Sequence, residues 1–177
     1  GLNAAYGHFA VDPDRVGEAI RGLRALGLAG CNITIPHKIQ AMAHVDEVHP
    51  LAQRIGAINC VVVQDDGKLV GYNHDGYGFI QSLLGAQPSW HAASGPSVVI
   101  GAGGASRAIL VSLIDAGATE IRLLNRTRHT AEQLAQEFGN RIHVLDWEEK
   151  EAALVGAALL VQTTNQGKQG EPPLDLD

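Results

Sequence analysis

The fold is decided by the stretch Ser97-Val98-Val99-Ile100-Gly101-Ala102-Gly103-Gly104-Ala105-Ser106. Its first four residues form a continuous apolar, β-rich run, which is typical of a strand buried on both faces of a sheet. The glycines that follow predict a tight turn, and residues 107–116 then show the apolar spacing of a helix. The stretch therefore predicts a strand, a glycine turn and a helix in immediate succession.

The same alternation continues toward the end of the chain. Apolar runs predict further strands at residues 121–124, 142–144 and 159–161, and the spacing of residues 130–138 predicts a helix that ends at Gly139. Strands that alternate with helices imply a parallel sheet covered by helices. We therefore expect an α/β protein whose second half is a Rossmann-like domain.

The glycine turn has the residues that a dinucleotide-binding turn requires. Gly101 allows the sharp turn out of the strand, Gly103 has no side chain to block a pyrophosphate, and Ser106 is small enough for the helix to approach the strand. The N-terminus of that helix would direct free N–H groups at the phosphates. A plain turn between a strand and a helix is the alternative. The candidate cofactor-binding residues of the turn are Gly101, Ala102, Gly103, Gly104 and Ala105.

The end of the second strand indicates which dinucleotide would bind. An NAD site usually has an acidic residue there, which binds the ribose 2′-hydroxyl. This sequence instead has Asn125-Arg126-Thr127-Arg128, with two guanidinium groups and no carboxylate. Because Arg forms paired hydrogen bonds with phosphate, the segment favours NADP, with Arg126 the stronger candidate. Alternatively, both arginines are solvated surface charges.

The first half of the chain has a mixed pattern. It predicts helices at residues 16–26, 39–48 and 76–84, and strands at residues 32–35, 57–63 and 69–72, of which the last two form a hairpin. Residues 85–96, with two prolines, two glycines and two serines, predict a linker. We therefore expect a smaller, mixed α/β substrate domain at residues 1–84, incomplete, and the cofactor domain at residues 95–177. The active site would lie in the cleft between them.

Composition excludes several classes of function. The chain of 177 residues has a net charge of −6, which argues against a general nucleic-acid binder, and it has no apolar stretch of membrane-spanning length. Cys31 and Cys60 lack the spacing of a zinc site, so no metal is expected and both are interpreted as buried thiols. No signal peptide is visible, and we expect a cytoplasmic protein with a small-molecule substrate. Nothing in the sequence indicates its oligomeric state.

Three segments of the first half carry a family resemblance: N-I-T-I-P-H-K at residues 32–38, G-A-I-N-C at residues 56–60 and G-Y-N-H-D-G-Y-G at residues 71–78. Together with the glycine turn and N-R-T at residues 125–127, in this order, they resemble the shikimate dehydrogenase family. The resemblance covers nearly the whole chain. The combination of N-x-T-x-P-x-K with N-x-D-x-x-G is quite specific to that family and its close relatives.

The resemblance implies a reaction and a set of site residues. The reaction is the reversible reduction of 3-dehydroshikimate to shikimate with NADPH, a step of aromatic amino-acid biosynthesis. Lys38 matches the catalytic lysine of the family, and Asp75 matches its partner aspartate. Alternatively, Lys38 is an ordinary surface charge and Asp75 is a turn residue. The matched substrate-binding residues are Asn32, Thr34 and Asn59, which could otherwise cap backbone groups. His37 and His74 are interpreted as neighbouring scaffold.

The sequence also departs from the family pattern. His74 and Cys60 stand where Thr is usual, and Gln162 and Lys168 stand where Asn and Met are usual. Thr163 and Thr164 match cofactor neighbours, with a purely structural role as the alternative. The family pattern also includes a Ser-x-Ser element upstream and a Gln-bearing helix downstream, and both are absent here. We therefore expect this sequence to be the middle of a longer enzyme. An NAD-preferring quinate/shikimate dehydrogenase and a non-catalytic NADP-binding relative are the alternative functions.

Overall fold

The computed structural model describes residues 3–176, which form two compact units, one ending at Tyr72 and the other beginning at Asn73. Each unit has its own sheet and helices, so the predicted α/β class is confirmed. By this division the predicted linker at residues 85–96 lies within the second unit, because the preceding helix packs against another helix of that unit. The assignment of one domain to substrate and one to cofactor stays a prediction.

The first unit is built on a four-stranded mixed sheet. Its elements are α1 (Val16–Ala25), β1 (Gly30–Asn32), β2 (Glu47–Val48), α2 (Pro50–Ile55), β3 (Cys60–Val63) and β4 (Leu69–Tyr72), with 3₁₀ turns at Pro13–Arg15 and Gln40–His44. The strand order is β1-β3-β4-β2; β3 pairs antiparallel with both β1 and β4, and β2 pairs parallel with β4. The apolar face of α1, with Val16, Ile20 and Leu23, packs into the core of this unit. The predicted hairpin of β3 and β4 is confirmed.

Two predictions in the first unit are wrong. The strand expected at residues 32–35 ends at Asn32, because the chain then turns and the His37 N–H donates to the Thr34 carbonyl at 3.0 Å. The helix expected at residues 39–48 is only a 3₁₀ turn followed by β2. Its last residues pair with β4 instead, with Glu47 opposite Val70. Tertiary pairing thus overrides the helical spacing.

The second unit contains the predicted parallel sheet. Its elements are α3 (Asp75–Ala86), β5 (Ser97–Ile100), α4 (Gly104–Asp115), β6 (Ile121–Leu124), α5 (Arg128–Phe138), β7 (Ile142–Leu145), a 3₁₀ turn at Trp147–Glu149, α6 (Lys150–Ala153) and β8 (Leu159–Gln162). The order is β7-β6-β5-β8, and every pair is parallel. All four residues of β5 are buried: Val99 belongs to one apolar cluster, and Val98 and Ile100 belong to another. The central strand is therefore covered on both faces, as its apolar run predicts.

Within residues 3–176, no helix combines the length and the apolar character that crossing a membrane requires. The same residues contain no group of three or more His, Cys, Asp or Glu side chains placed to hold a metal ion.

Candidate functional site

The glycine turn follows the buried strand β5 directly. Gly101 has φ +111°, a conformation that disfavours any side chain, and a Cβ atom there would lie 2.5 Å from the Thr163 Oγ1 atom. Gly103 is different, because a Cβ atom there would meet nothing within 4 Å. The protein itself therefore explains a glycine at 101, whereas the glycine at 103 leaves open space beside the start of α4.

Two hydroxyl groups connect this turn to the end of β8. The Thr163 Oγ1 atom donates a hydrogen bond to the Ile100 carbonyl at 2.7 Å and lies 2.6 Å from the Ser106 Oγ atom. The Ser106 Oγ atom in turn accepts from the Gly103 N–H at 3.2 Å. Ser106 is completely buried. Its small size was the only property that the sequence interpretation used, and its hydrogen bonds were missed.

The two arginines after β6 have different surroundings. The Arg128 guanidinium pairs with Glu132 at 2.8 Å and with Asp146 at 2.5 Å. Hydrogen bonds from it to Glu132 and then Asp146 raise the pKa of Arg128. Arg126 is exposed and makes no hydrogen bond or ion pair with any residue of the described range 3–176. Asn125 shapes the connection, because its side-chain amide donates to the Thr127 carbonyl at 2.9 Å.

Gln162 braces the loop that follows β8. Its side-chain oxygen accepts from the Thr164 N–H at 2.5 Å, and its side-chain nitrogen donates to the Gln166 carbonyl at 3.1 Å. The Thr164 hydroxyl accepts from the Gln166 N–H at 3.2 Å. Lys168 is exposed, so its charge keeps its hydration and carries no burial cost. Thr163 and Thr164 thus both have structural contacts in this unit.

In the first unit, the segments that carry Asn32, Lys38 and Asn59 lie side by side. The Ile33 N–H donates to the Asn59 carbonyl at 2.8 Å, and the Ile58 N–H donates to the Lys38 carbonyl at 2.8 Å. Asn32 is the last residue of β1, and its side-chain oxygen accepts from the Tyr6 hydroxyl at 3.0 Å. Tyr6 was not singled out in the sequence, since an exposed aromatic residue outside any motif gives no signal.

Thr34 and His37 lie in the turn that leads to Lys38. Thr34 is exposed, and Lys38 is half-buried. The Nδ1 atom of His37 is buried and has no hydrogen-bond partner within residues 3–176. The interpretation of His37 as scaffold stays a prediction.

In the second unit, Asp75 is the first residue of α3. The buried Asn73 opens the helix, because its side-chain oxygen accepts from the Asp75 N–H at 3.0 Å. A carboxylate in the first turn is also favourable for the helix dipole. The N-x-D spacing thus has a local structural reason, namely that the Asn fixes the backbone from which the Asp projects.

Two family models match this sequence. The shikimate dehydrogenase substrate-binding domain matches residues 1–61, and the shikimate/quinate 5-dehydrogenase model matches residues 87–169. The chain belongs to the shikimate dehydrogenase family. This confirms the resemblance drawn from the motifs.

Individual members of the family are similar in sequence and in fold. The NADP(+)-dependent shikimate dehydrogenase of Paramagnetospirillum magneticum is 49% identical over 177 residues, which are 100% of this chain and 64% of that protein. The shikimate 5-dehydrogenase of Thermus thermophilus, solved with NADP(H) and shikimate, has a TM-score of 0.75 at 38% identity, covering 89% of this chain and 56% of that one. The quinate dehydrogenase of Corynebacterium glutamicum, solved with NAD, has a TM-score of 0.81 at 26% identity, covering 91% of this chain and 58% of that one. The chain thus spans less than two thirds of the length of these members of the shikimate dehydrogenase family.

Cys60 departs from the usual family residue without creating a reactive group. Burial raises the pKa of the Cys60 thiol, and burial together with the neighbouring Cys60 raises the pKa of Cys31. Both thiols are free and half-buried, not fully buried as the sequence predicts, and the raised pKa favours their neutral, less reactive form.

Proposed function

We propose that this chain belongs to an NADP-dependent shikimate dehydrogenase, which reduces 3-dehydroshikimate reversibly to shikimate. The observation that carries the proposal is the open space at Gly103, beside the N-terminus of α4. A glycine that no neighbouring atom requires is understandable if a pyrophosphate approaches the backbone there. The names of the curated relatives, shikimate dehydrogenase (NADP(+)), support the same assignment.

The residues of the second unit fit NADP rather than NAD. The backbone from Gly101 to Ala105 would hold the pyrophosphate at the helix N-terminus. Arg126, which is exposed and has no carboxylate partner within residues 3–176, is the group proposed to bind the 2′-phosphate. Asn125 and Thr127 would shape the loop that carries it, and the cofactor supplies the hydride that reduces the substrate ketone.

Lys38 and Asp75 are proposed to act in the proton transfer. In the reduction, the hydride forms a new C–H bond, the C=O π electrons move to oxygen, and the Lys38 ammonium donates a proton to that oxygen. The reverse reaction returns the proton to Lys38 as the hydride leaves. Asp75 is proposed as the second member of the catalytic pair, because it matches the partner aspartate of the family motif.

Asn32, Thr34 and Asn59 are proposed to bind the hydroxyl and carboxylate groups of the substrate. Because the side-chain oxygen of Asn32 already accepts from Tyr6, its amide N–H groups are the part left to donate to a ligand. We also propose that the protein is cytoplasmic, since Cys31 and Cys60 are both free thiols.

The test is an absorbance assay of NADPH or NADH formation with the complete protein. Shikimate or quinate is paired with NADP or NAD in all four combinations. Turnover with shikimate and NADP well above the other three pairs is the expected result. A preference for quinate with NAD would replace the proposal by the quinate dehydrogenase alternative, and binding of NADP without any turnover would replace it by the non-catalytic one.

Lys38→Ala tests the proton transfer. We expect kcat to fall by about 100-fold or more, since general acid–base catalysis contributes about 10²–10⁴-fold, with the affinity for NADP unchanged. Lys68→Ala is the matched control: Lys68 is an exposed lysine of the same unit that pairs with Glu47 at 2.6 Å, and its loss leaves kcat unchanged. Full activity of Lys38→Ala would sink the mechanism.

A further inference from the structure

Four polar groups form a continuous chain of hydrogen bonds across the glycine turn. A hydroxyl has one proton to donate, and the Thr163 hydroxyl donates its proton to the Ile100 carbonyl at 2.7 Å. The 2.6 Å contact between Ser106 and Thr163 must then be a bond that Ser106 donates. The direction of the chain is therefore fixed: Gly103 N–H to Ser106, Ser106 to Thr163, and Thr163 to the Ile100 carbonyl.

This chain begins and ends on opposite sides of Gly101. The Ile100 carbonyl precedes the turn and the Gly103 N–H follows it. Thr163, directly after β8, bonds the Ile100 carbonyl itself and is linked to the Gly103 N–H through Ser106. The backbone N–H of Thr163 also donates to the Ile100 carbonyl, at 2.9 Å. The 2.5 Å clearance between Thr163 Oγ1 and a Cβ atom at Gly101 shows how closely the threonine approaches. The shape of the turn is thus set from a distant strand.

We propose that Ser106 and Thr163 are positioning residues for dinucleotide binding, which rests on the proposed function. They hold the Gly103 backbone in the conformation that receives the pyrophosphate, and Thr163 acts through Ser106 rather than by touching the cofactor. Ser106 is completely buried, so loss of the Thr163 hydroxyl leaves the buried Ser106 hydroxyl without its acceptor. Loss of the Ser106 hydroxyl leaves the Gly103 N–H without the group that holds it. Hydrogen bonds in such a chain also strengthen one another.

Thr163→Val and Ser106→Ala remove one hydroxyl each, and Thr163→Ser keeps it. Calorimetric titration of the complete protein with NADP and with NAD measures the effect. We expect Thr163→Val and Ser106→Ala to weaken both cofactors by the same factor, about tenfold, because the pyrophosphate is common to both. Thr163→Ser should bind both cofactors with the wild-type affinity. The double variant Ser106→Ala/Thr163→Val should bind them little more weakly than either single variant.

Ser112→Ala is the matched control, because Ser112 is a half-buried hydroxyl of the same helix that donates to the Ile109 carbonyl away from the turn. Its affinity for both cofactors should stay at the wild-type value. The positioning role is overturned if Thr163→Val binds both cofactors as tightly as wild type while only its melting temperature falls. It is equally overturned if Thr163→Ser is as weak as Thr163→Val, or if only NADP is affected. Failure of the wild-type protein to bind either nucleotide would instead overturn the proposed function itself.

Discussion

Arg126 and Arg128 show how much the partners of a charge matter. Both are guanidinium groups at the end of β6, but two carboxylates neutralise Arg128, and no residue in the range 3–176 pairs with Arg126. A phosphate that approached Arg128 would have to compete with Glu132 and Asp146. The cofactor preference should therefore depend mainly on Arg126.

Arg126→Gln should weaken NADP binding by about 10–100-fold, because hydrogen bonds to charged groups contribute about 1.5–3 kcal/mol. NAD, which lacks the 2′-phosphate, should bind as it does to the wild type. Arg128→Gln serves as the comparison and should change the NADP affinity much less. Calorimetric titration of both variants with both cofactors decides this, and an equal loss for the two variants would contradict it.

The glycines at 101 and 103 should respond oppositely to the same change. Gly101→Ala forces a side chain into a φ of +111° and against Thr163, so we expect a loss of about 1–3 kcal/mol in the free energy of unfolding. Gly103→Ala has room for its methyl group and a φ of −95°, so stability should change by less than about 0.5 kcal/mol. Its dinucleotide affinity should nevertheless fall. Urea unfolding and titration together test the pair, and a stable Gly101→Ala would refute the first part.

At the residue scale, the sequence predicted the glycine turn but not the side-chain contacts around it. The glycine turn was predicted because glycine has few reasons to occur in such a pattern. The hydroxyl chain of Ser106 and Thr163 was not, since the two residues are far apart in sequence and only the pairing of β5 with β8 brings them together. The ion pair of Arg128 with Asp146 could likewise not be predicted from the sequence, because Asp146 follows another strand, β7.

Helix α3 lies close to α4 at Gly76. A Cβ atom there would lie 2.8 Å from the Ala108 carbonyl oxygen and 3.0 Å from the Ser112 Cβ atom. We expect Gly76→Ala to lower the free energy of unfolding by about 1–3 kcal/mol, the usual cost of overpacking. Gly78→Ala in the same helix meets nothing within 4 Å and should stabilise by about 0.5–1 kcal/mol, since alanine favours helix. Urea unfolding of both variants is the measurement, and effects of equal sign would contradict the packing argument.

Asp46 connects three elements of the first unit. Asp46 directly precedes β2, and its backbone N–H donates to the Leu69 carbonyl of β4. Its carboxylate accepts from the Leu69 N–H at 2.7 Å and pairs with Arg24 of α1. The bond from Leu69 and then that from Arg24 lower the pKa of Asp46 below its ordinary value of 3.8, and the charge of Lys68 adds to this. The ionised carboxylate therefore stabilises the folded state.

The sign of this effect predicts a pH dependence. Because the folded-state pKa is below the unfolded one, the stabilisation is complete well above pH 3.8 and disappears as the pH falls through the folded-state pKa. Asp46→Asn should lower the melting temperature at neutral pH, and its difference from wild type should shrink in acid. Asp65→Asn, in the exposed turn of the hairpin, is the control and should show no such trend. Circular dichroism at several pH values is sufficient, and a difference that is constant with pH would exclude this role for Asp46.

At the scale of elements, local patterns were decisive where partners lie nearby. The hairpin of β3 and β4 and the strand β5 were predicted with their observed character, since turn residues and a continuous apolar run are local signals. The helix predicted at residues 39–48 was wrong. Their apolar spacing fits a helix, but parallel pairing with β4 makes Glu47 and Val48 a strand. No local pattern contains information about that partner.

For the whole molecule, the parallel sheet of the second unit was predictable because helical segments connect each of its strands to the next along the chain, and such connections leave few topologies. The mixed sheet of the first unit was not, since β2, which pairs parallel with β4, lies in a segment whose spacing predicts a helix. Helix α3 is adjacent to β4 in sequence, but its apolar residues Phe79 and Ile80 pack into the core of the second unit.

The two apolar clusters of the parallel sheet also make the protein's own fluorescence selective. Its only two tryptophans are Trp90 and Trp147, and one packs against each cluster of the second unit. Selective excitation of indole therefore reports on this unit, because residues 1–72 contain no tryptophan. If a reduced nicotinamide binds there, energy transfer from the two indoles would quench their emission, so the chain carries a built-in optical sensor for its own cofactor.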